Sequence, residues 1–241
     1  MARVALVTGG TRGIGHAIVE RLKADGLKVA AGYSGNDAAA EACAKDLGVM
    51  VIKGNVGVFE DCRRCVAEVE ARLGPVEVLV NNAGITRDGF FHKMAPEDWS
   101  EVVRVNMDSL FNMTRQVIGG MRERGWGRIV NISSINGQKG QAGQTNYSAA
   151  KAGMLGFTRA LALENARKGV TVNAIAPGYV DTDMVHAMSD EVLEKIVAQI
   201  PVGRLGRGEE IADVVSYLAG EHAGYVTGAT LTINGGQFMA G

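Results

Sequence analysis

Short, nearly all-apolar runs rich in β-branched residues return along the whole chain, each followed by a stretch of helical periodicity. The runs fall at 4–8, 28–32, 49–54, 77–81, 128–132, 171–175 and 230–233, and the helical patterns at 14–25, 38–47, 60–73, 97–124, 143–168, 191–200 and 209–219. Strands that are apolar on both faces are buried on both. Parallel neighbours need a crossover connection, so strict alternation predicts a parallel sheet with helices on both faces. No linker, repeat or low-complexity tract interrupts the pattern, and the 241 residues read as a single doubly wound α/β domain, 1–241. Such a domain binds ligands in the loops at the carboxyl ends of its strands.

Composition narrows the partners. Lys plus Arg, 25, nearly balances Asp plus Glu, 26, for a net charge of −1, so no global field draws the chain to nucleic acid or an anionic membrane. No apolar run approaches the ~18 residues of a membrane span. Three cysteines, Cys43, Cys62 and Cys65, make an odd and sparse set, which reads as cytoplasmic rather than disulfide-stapled. Cys62-Arg-Arg-Cys65 has no second cysteine pair, so no structural zinc is expected, and the two are read as small helical residues.

The loops carry the chemistry. After the first strand comes Thr8-Gly9-Gly10-Thr11-Arg12-Gly13-Ile14-Gly15, whose glycines let backbone approach a pyrophosphate at a helix N-terminus. Its Gly-x3-Gly-x-Gly spacing departs from the common Gly-x-Gly-x-x-Gly, but the strand-loop-helix context favours a dinucleotide. An NAD site would place an acid near the end of the second strand, on the order of 20 residues after the loop. Ala30-Ala31-Gly32-Tyr33-Ser34 has none, Asp37 comes late, and Arg12 offers a guanidinium for a 2′-phosphate, so the expectation is NADPH. Downstream, Asn81-Asn82-Ala83-Gly84 closes the fourth strand and Ser133-Ser134 the fifth, Asn106 sits in a long helical stretch, and Tyr147 and Lys151 share one helix face. A Lys cation beside a phenol is expected to draw its pKa down from ~10 and make it a usable acid or base.

Taken together these motifs resemble the short-chain dehydrogenase/reductase family over essentially the whole chain. They are Thr8-Gly9-x3-Gly13-x-Gly15, Asn81-Asn82-Ala83-Gly84, Ser134 followed by Tyr147-x-x-x-Lys151, and Pro177-Gly178-x3-Thr182. The resemblance implies a Rossmann-like sheet of seven strands and a catalytic tetrad of Asn106, Ser134, Tyr147 and Lys151. In it Tyr147 gives the proton, Ser134 binds the carbonyl, Lys151 holds the nicotinamide ribose, and Asn106 anchors a water that links Lys151 to solvent. The implied cofactor set is Gly9, Thr11, Arg12, Gly13, Ile14, Gly15, Gly32, Asn55, Val56, Asn82, Ala83, Gly84, Tyr147, Lys151, Pro177, Gly178, Val180 and Thr182.

Within the family, Gly84-Ile-Thr-Arg-Asp88, Phe91-His-Lys93-Met, the segment 136–147 and Pro177-Gly-Tyr179 look most like the branch that reduces acetoacetyl-CoA for polyhydroxyalkanoate synthesis. That likeness assigns Asp88, Lys93, Gln141, Gln144 and Tyr179 to the substrate. Ala142 stands where that branch carries a bulkier apolar residue, which implies a roomier acyl pocket. The stretch 183–202, with Met184 and Met188, reads as a lid or as ordinary helix packing. The family pairs its subunits through the helices at 97–124 and 143–168 and through the segment 228–236, which implies a homotetramer. Two readings compete. A 3-oxoacyl-acyl carrier protein reductase would share fold and tetrad and add a basic docking surface, with Arg122, Arg124 and Arg167 available. A non-catalytic dinucleotide sensor on the same fold would be expected to lose Ser134, Tyr147 or Lys151.

Overall fold

Alternate residues of each strand belong to two different apolar layers. Ala5, Val7, Val78, Val80, Val130 and Ile132 pack on one side, and Val4, Leu6, Leu79 and Ile129 on the other. This period of two follows from the pleat, and it requires helices over both faces of the sheet. The computed structural model, which describes residues 2–182, Val185 and residues 189–239, has that arrangement.

The strands are β1 (Val4–Val7), β2 (Lys28–Tyr33), β3 (Met50–Lys53), β4 (Val76–Asn81), β5 (Gly127–Ile132), β6 (Val170–Pro177) and β7 (Thr230–Ile233). They form one sheet in the order β3-β2-β1-β4-β5-β6-β7, every neighbouring pair parallel. The helices are α1 (Gly13–Ala24), α2 (Asp37–Leu47), α3 (Phe59–Leu73), α4 (Pro96–Val103), α5 (Ser109–Arg124), α6 (Asn136–Lys139), α7 (Thr145–Asn165), α8 (Asp190–Ala198) and α9 (Gly208–Ala219). Ile18 and Leu22 of α1 meet Ile211, Val215 and Leu218 of α9 over one face, while Val66 and Val69 of α3 and Met113, Val117 and Met121 of α5 cover the other. Cys62 and Cys65 are buried residues of α3, as expected, and all three thiols are free.

Two elements differ from the sequence reading. The single helix expected over 97–124 is α4 and α5 joined by a π turn, Arg104–Asp108, in which the Ser109 N–H reaches back five residues to the Arg104 carbonyl. The cause is Asn106, which is fully buried and turns its amide onto neighbouring backbone. The short helix α6 was not expected; Gly137 permits it, because a Cβ there would lie 2.7 Å from the Lys151 carbonyl carbon. Met184 and Met188 lie outside the described residues, and α8 beyond them turns Val192 and Ile196 toward the site.

Strand order reverses between β1 and β4, and the carboxyl ends of these two strands flank the crevice where such sheets bind ligands. No helix among the described residues is long and apolar enough to cross a membrane.

Candidate active site

The crevice opens into a cleft of about 1260 Å³ lined by the loops after β1 to β6. That exceeds the ~300–1,000 Å³ of a pocket for one drug-sized molecule and leaves room for a long ligand beside a second one.

Its first wall is the glycine loop. Thr8 Oγ1 accepts hydrogen bonds from the N–H groups of both Asn82 and Ala83, at 3.0 Å each. Asn82 Nδ2 donates in return to the carbonyls of Thr8 and Gly9, at 3.0 and 3.1 Å. The loops after β1 and β4 are thus fastened across the switch point. A Cβ on Gly15 would fall 2.0 Å from the Gly9 carbonyl oxygen, so only glycine lets α1 begin there. That helix start has no side-chain cap and no acidic residue in its first turn, whereas α2, α3 and α4 each carry at least one acid there. Its unpaired N–H groups and positive dipole end form an anion site at the crevice, which fits the pyrophosphate of a dinucleotide.

At the end of β2, the cleft is lined by Gly32, Tyr33, Ser34 and Asn36, and no carboxylate from this segment faces it. The nearest acid, Asp37, opens α2 and is tied to Lys53 Nζ at 2.8 Å. Arg12 also lines the cleft. Asn55 and Val56, after β3, line the same half, and Pro177, Gly178, Val180 and Thr182, after β6, line the opposite one.

The tetrad residues converge at the β4–β5–β6 side. Ser134 lies two residues beyond the end of β5, its Oγ accepting from the Asn136 N–H at 3.1 Å and bonded to the Tyr147 phenol. Lys151 is buried, with Nζ donating to the Ile132 carbonyl at 2.7 Å and lying 5.6 Å from the centre of the Tyr147 ring. Burial pushes its pKa down to about 8. The phenol departs from expectation. Desolvation raises Tyr147 to about 12, the Ser134 hydroxyl pulls it back in part, and the Asp88 carboxylate raises it further. In a low-dielectric wall the cost of burying a phenolate outweighs the attraction of a cation across the ring. Tyr147 therefore stands as a neutral phenol at neutral pH, the form that donates a proton.

The side-chain amide of Asn106 is engaged within the protein. Its Nδ2 donates to the carbonyls of Ile85 and Val102, both at 2.9 Å, and its Oδ1 accepts from the Ile85 N–H at 3.3 Å. Both amide protons are spent on backbone, so this side chain fixes the loop after β4. Of the expected substrate residues, Asp88, Gln141, Gln144 and Tyr179 line the cleft, as does Ala142. Lys93 does not; it ends an exposed 3-10 turn, Phe91–Lys93. Asp88 and Gln144 form part of a chain unseen in the sequence: Asn136 Nδ2 donates to Gln144 Oε1, and Gln144 Nε2 to Asp88 Oδ2, each at 2.9 Å.

This cleft belongs to a recognisable lineage. The chain matches the short chain dehydrogenase family over residues 3–193. It belongs to that family. It is therefore an oxidoreductase that uses a nicotinamide dinucleotide. Over 240 residues it is 61% identical to the acetoacetyl-CoA reductase of Shinella zoogloeoides, covering 99% of this chain and 100% of that protein. It is 54% identical over 242 residues to the acetoacetyl-CoA reductase of Cupriavidus necator, covering 98% of each chain. The 3-oxoacyl-acyl-carrier-protein reductase of Escherichia coli is 44% identical over 240 residues, again covering 98% of each.

Proposed function

We propose that this short-chain dehydrogenase reduces acetoacetyl-CoA, and 3-oxoacyl-CoA thioesters like it, to (R)-3-hydroxyacyl-CoA with NADPH, in the cytoplasm, as a source of monomer for polyhydroxyalkanoate. The observation that carries the substrate assignment is the drop from 61% identity with a CoA-thioester reductase to 44% with a carrier-protein reductase over the same length. The surface agrees with it. Two of the three arginines available to dock an acidic carrier protein are engaged within the chain, Arg122 with Asn165 Oδ1 at 2.7 Å and Arg124 with the Val76 carbonyl at 3.0 Å.

The reduced nicotinamide, when bound, supplies a hydride to the ketone carbon. Negative charge then develops on the ketone oxygen, which needs donors already in place and a proton. The Ser134 hydroxyl, held by the Asn136 N–H, donates a hydrogen bond to that oxygen, and Tyr147 gives it the phenolic proton. Lys151 has two N–H bonds left after Ile132, one for the nicotinamide ribose, and its charge stabilises the phenolate left behind. Gln144 and Tyr179 face the thioester. A pocket of amides and a phenol suits a ligand with two carbonyl acceptors.

The preference for NADPH rests on the cleft-lining Arg12 and on the engagement of Asp37 with Lys53. The homotetramer rests on the outer faces of α5 and α7, which leave Phe111 56% and Leu163 84% exposed beside the small residues Ala152, Gly156 and Ala160.

The deciding experiment follows loss of NADPH absorbance with acetoacetyl-CoA and, at matched concentration, with acetoacetyl-acyl carrier protein, each repeated with NADH. A much higher kcat/KM on the CoA ester with NADPH is expected. Preference for the carrier-protein substrate would move the enzyme to fatty-acid elongation, and turnover of neither would overturn the substrate class.

A further inference from the structure

A guanidinium that no motif singles out stands in the half of the cleft opposite the tetrad. Arg104, at the start of the π turn, is half-buried and lines the cleft. It folds over Gly57: a Cβ on that glycine would lie 3.1 Å from both Cγ and Nη1 of Arg104.

Gly57 belongs to a turn after β3 that is held from several sides. The Asn55 N–H donates to Asp61 Oδ2, the Gly57 N–H to Asn55 Oδ1, and the Val58 N–H to the Asn55 carbonyl, all at 2.9 Å. Asn112 Nδ2, from α5, donates to the Val56 carbonyl at 2.9 Å. The turn is a rigid floor, and the stem of Arg104 rests on it.

The guanidinium itself makes no hydrogen bond or ion pair with any described residue. The carboxylate one turn earlier, Glu101, is taken by Arg87 at 2.9 Å. A partly desolvated guanidinium with five donors and a flat face, left without a partner by the protein, is suited to a ligand that supplies one.

Chain topology identifies that ligand's part. In a doubly wound sheet the loop after the second strand meets the adenosine ribose, so adenosine lies over the ends of β2 and β3, against the turn that carries Gly57. We infer that Arg104 closes the adenosine slot, its guanidinium stacked on or bonded to the adenine, while the 2′-phosphate falls to Arg12. The inference builds on the assignment of the cleft to a nicotinamide dinucleotide and names the residue that grips its base. It makes Arg104 a determinant of affinity for NADPH and NADH alike.

The test is binding, read apart from turnover. Full-length wild-type protein and Arg104→Met, which keeps a stem over Gly57 and removes the charge, are titrated calorimetrically with NADPH, NADH, ADP and nicotinamide mononucleotide. Thermal melting checks that both are folded, and Arg104→Gln replaces the Met variant if it melts early. The expected result is a rise in Kd of about 5- to 20-fold for NADPH, NADH and ADP alike, the size of a desolvated cation–π contact. Nicotinamide mononucleotide, which has no adenosine, is expected to be unaffected. Unchanged affinity for NADH and ADP would overturn the inference, and so would a loss confined to NADPH, which would make Arg104 a phosphate ligand. Wild-type protein that bound none of the four would instead overturn the cofactor assignment beneath it.

Discussion

Asn106 holds Ile85 by both of that residue's backbone groups, donating to its carbonyl at 2.9 Å and accepting from its N–H at 3.3 Å. This clamp fixes the loop that leaves β4 toward Asp88, and a Cβ on Gly84, within the same loop, would lie 2.6 Å from the Asn106 Oδ1. Asn106→Ala orphans buried backbone groups and should cost about 2 kcal/mol of stability, with a fall in kcat of at least tenfold. Denaturant melts beside steady-state kinetics read both numbers. Full activity in a destabilised variant would show that the loop needs no clamp for catalysis.

Proton donation by Tyr147 has a direct test in Tyr147→Phe, which leaves the ring packing in place. Turnover should drop by several decades while the Kd for NADPH, measured by fluorescence, stays within about threefold. Near-normal turnover would remove Tyr147 from the chemistry.

The Gln144–Asp88 hydrogen bond is expected to position the amide that meets the thioester. Asp88→Ala and Gln144→Ala should each raise KM for acetoacetyl-CoA, and the double variant should lose less than the sum, by a coupling of about 1 kcal/mol. Strict additivity would mean that the two side chains act on substrate separately.

Lys151 gives a pH signature of known sign. Its folded pKa, near 8, lies below the unfolded value of 10.5, so the ammonium is lost from the folded protein first. Reduction measured as kcat/KM should therefore fall as pH rises through about 8. Between about 8 and 10.5 the unfolded chain binds the extra proton, so stability should rise with pH, by on the order of 3 kcal/mol from this group. Lys151→Met lacks the penalty of a buried charge and should be the more stable protein at pH 7, its advantage closing by pH 10. A constant gap between the two melting curves would contradict the depressed pKa.

Arg12→Glu should raise KM for NADPH far more than for NADH, because only the former brings a 2′-phosphate against the new carboxylate. Equal effects on the two cofactors would place the phosphate elsewhere.

The parallel fold was legible because a strand such as Val4–Val7, apolar and buried throughout, leaves no polar alternation to misread. The break at Arg104–Asp108 was not, since 97–124 has no proline and keeps helical spacing, and the cause is a tertiary bond from Asn106. Arg104 was passed over for a related reason: a cation on a helical stretch reads as a solvated charge until topology brings the turn at Gly57 beneath it. Asn136 lay in Asn-Gly-Gln-Lys, which has the composition of a loop. The tetrad is an expectation drawn from the family resemblance, and the raised pKa of Tyr147 was not legible at all, because desolvation depends on what packs around a ring.

Every hydrogen bond in the knot that joins Thr8, Gly9, Asn82 and Ala83 has both of its partners within the protein. The entropy of ordering the glycine loop is thus lost once, during folding, and not again at each encounter with cofactor. Nucleotide capture should accordingly behave as docking into a finished mould, with an observed association rate that climbs linearly with nucleotide concentration and shows no plateau from a slow rearrangement of this loop.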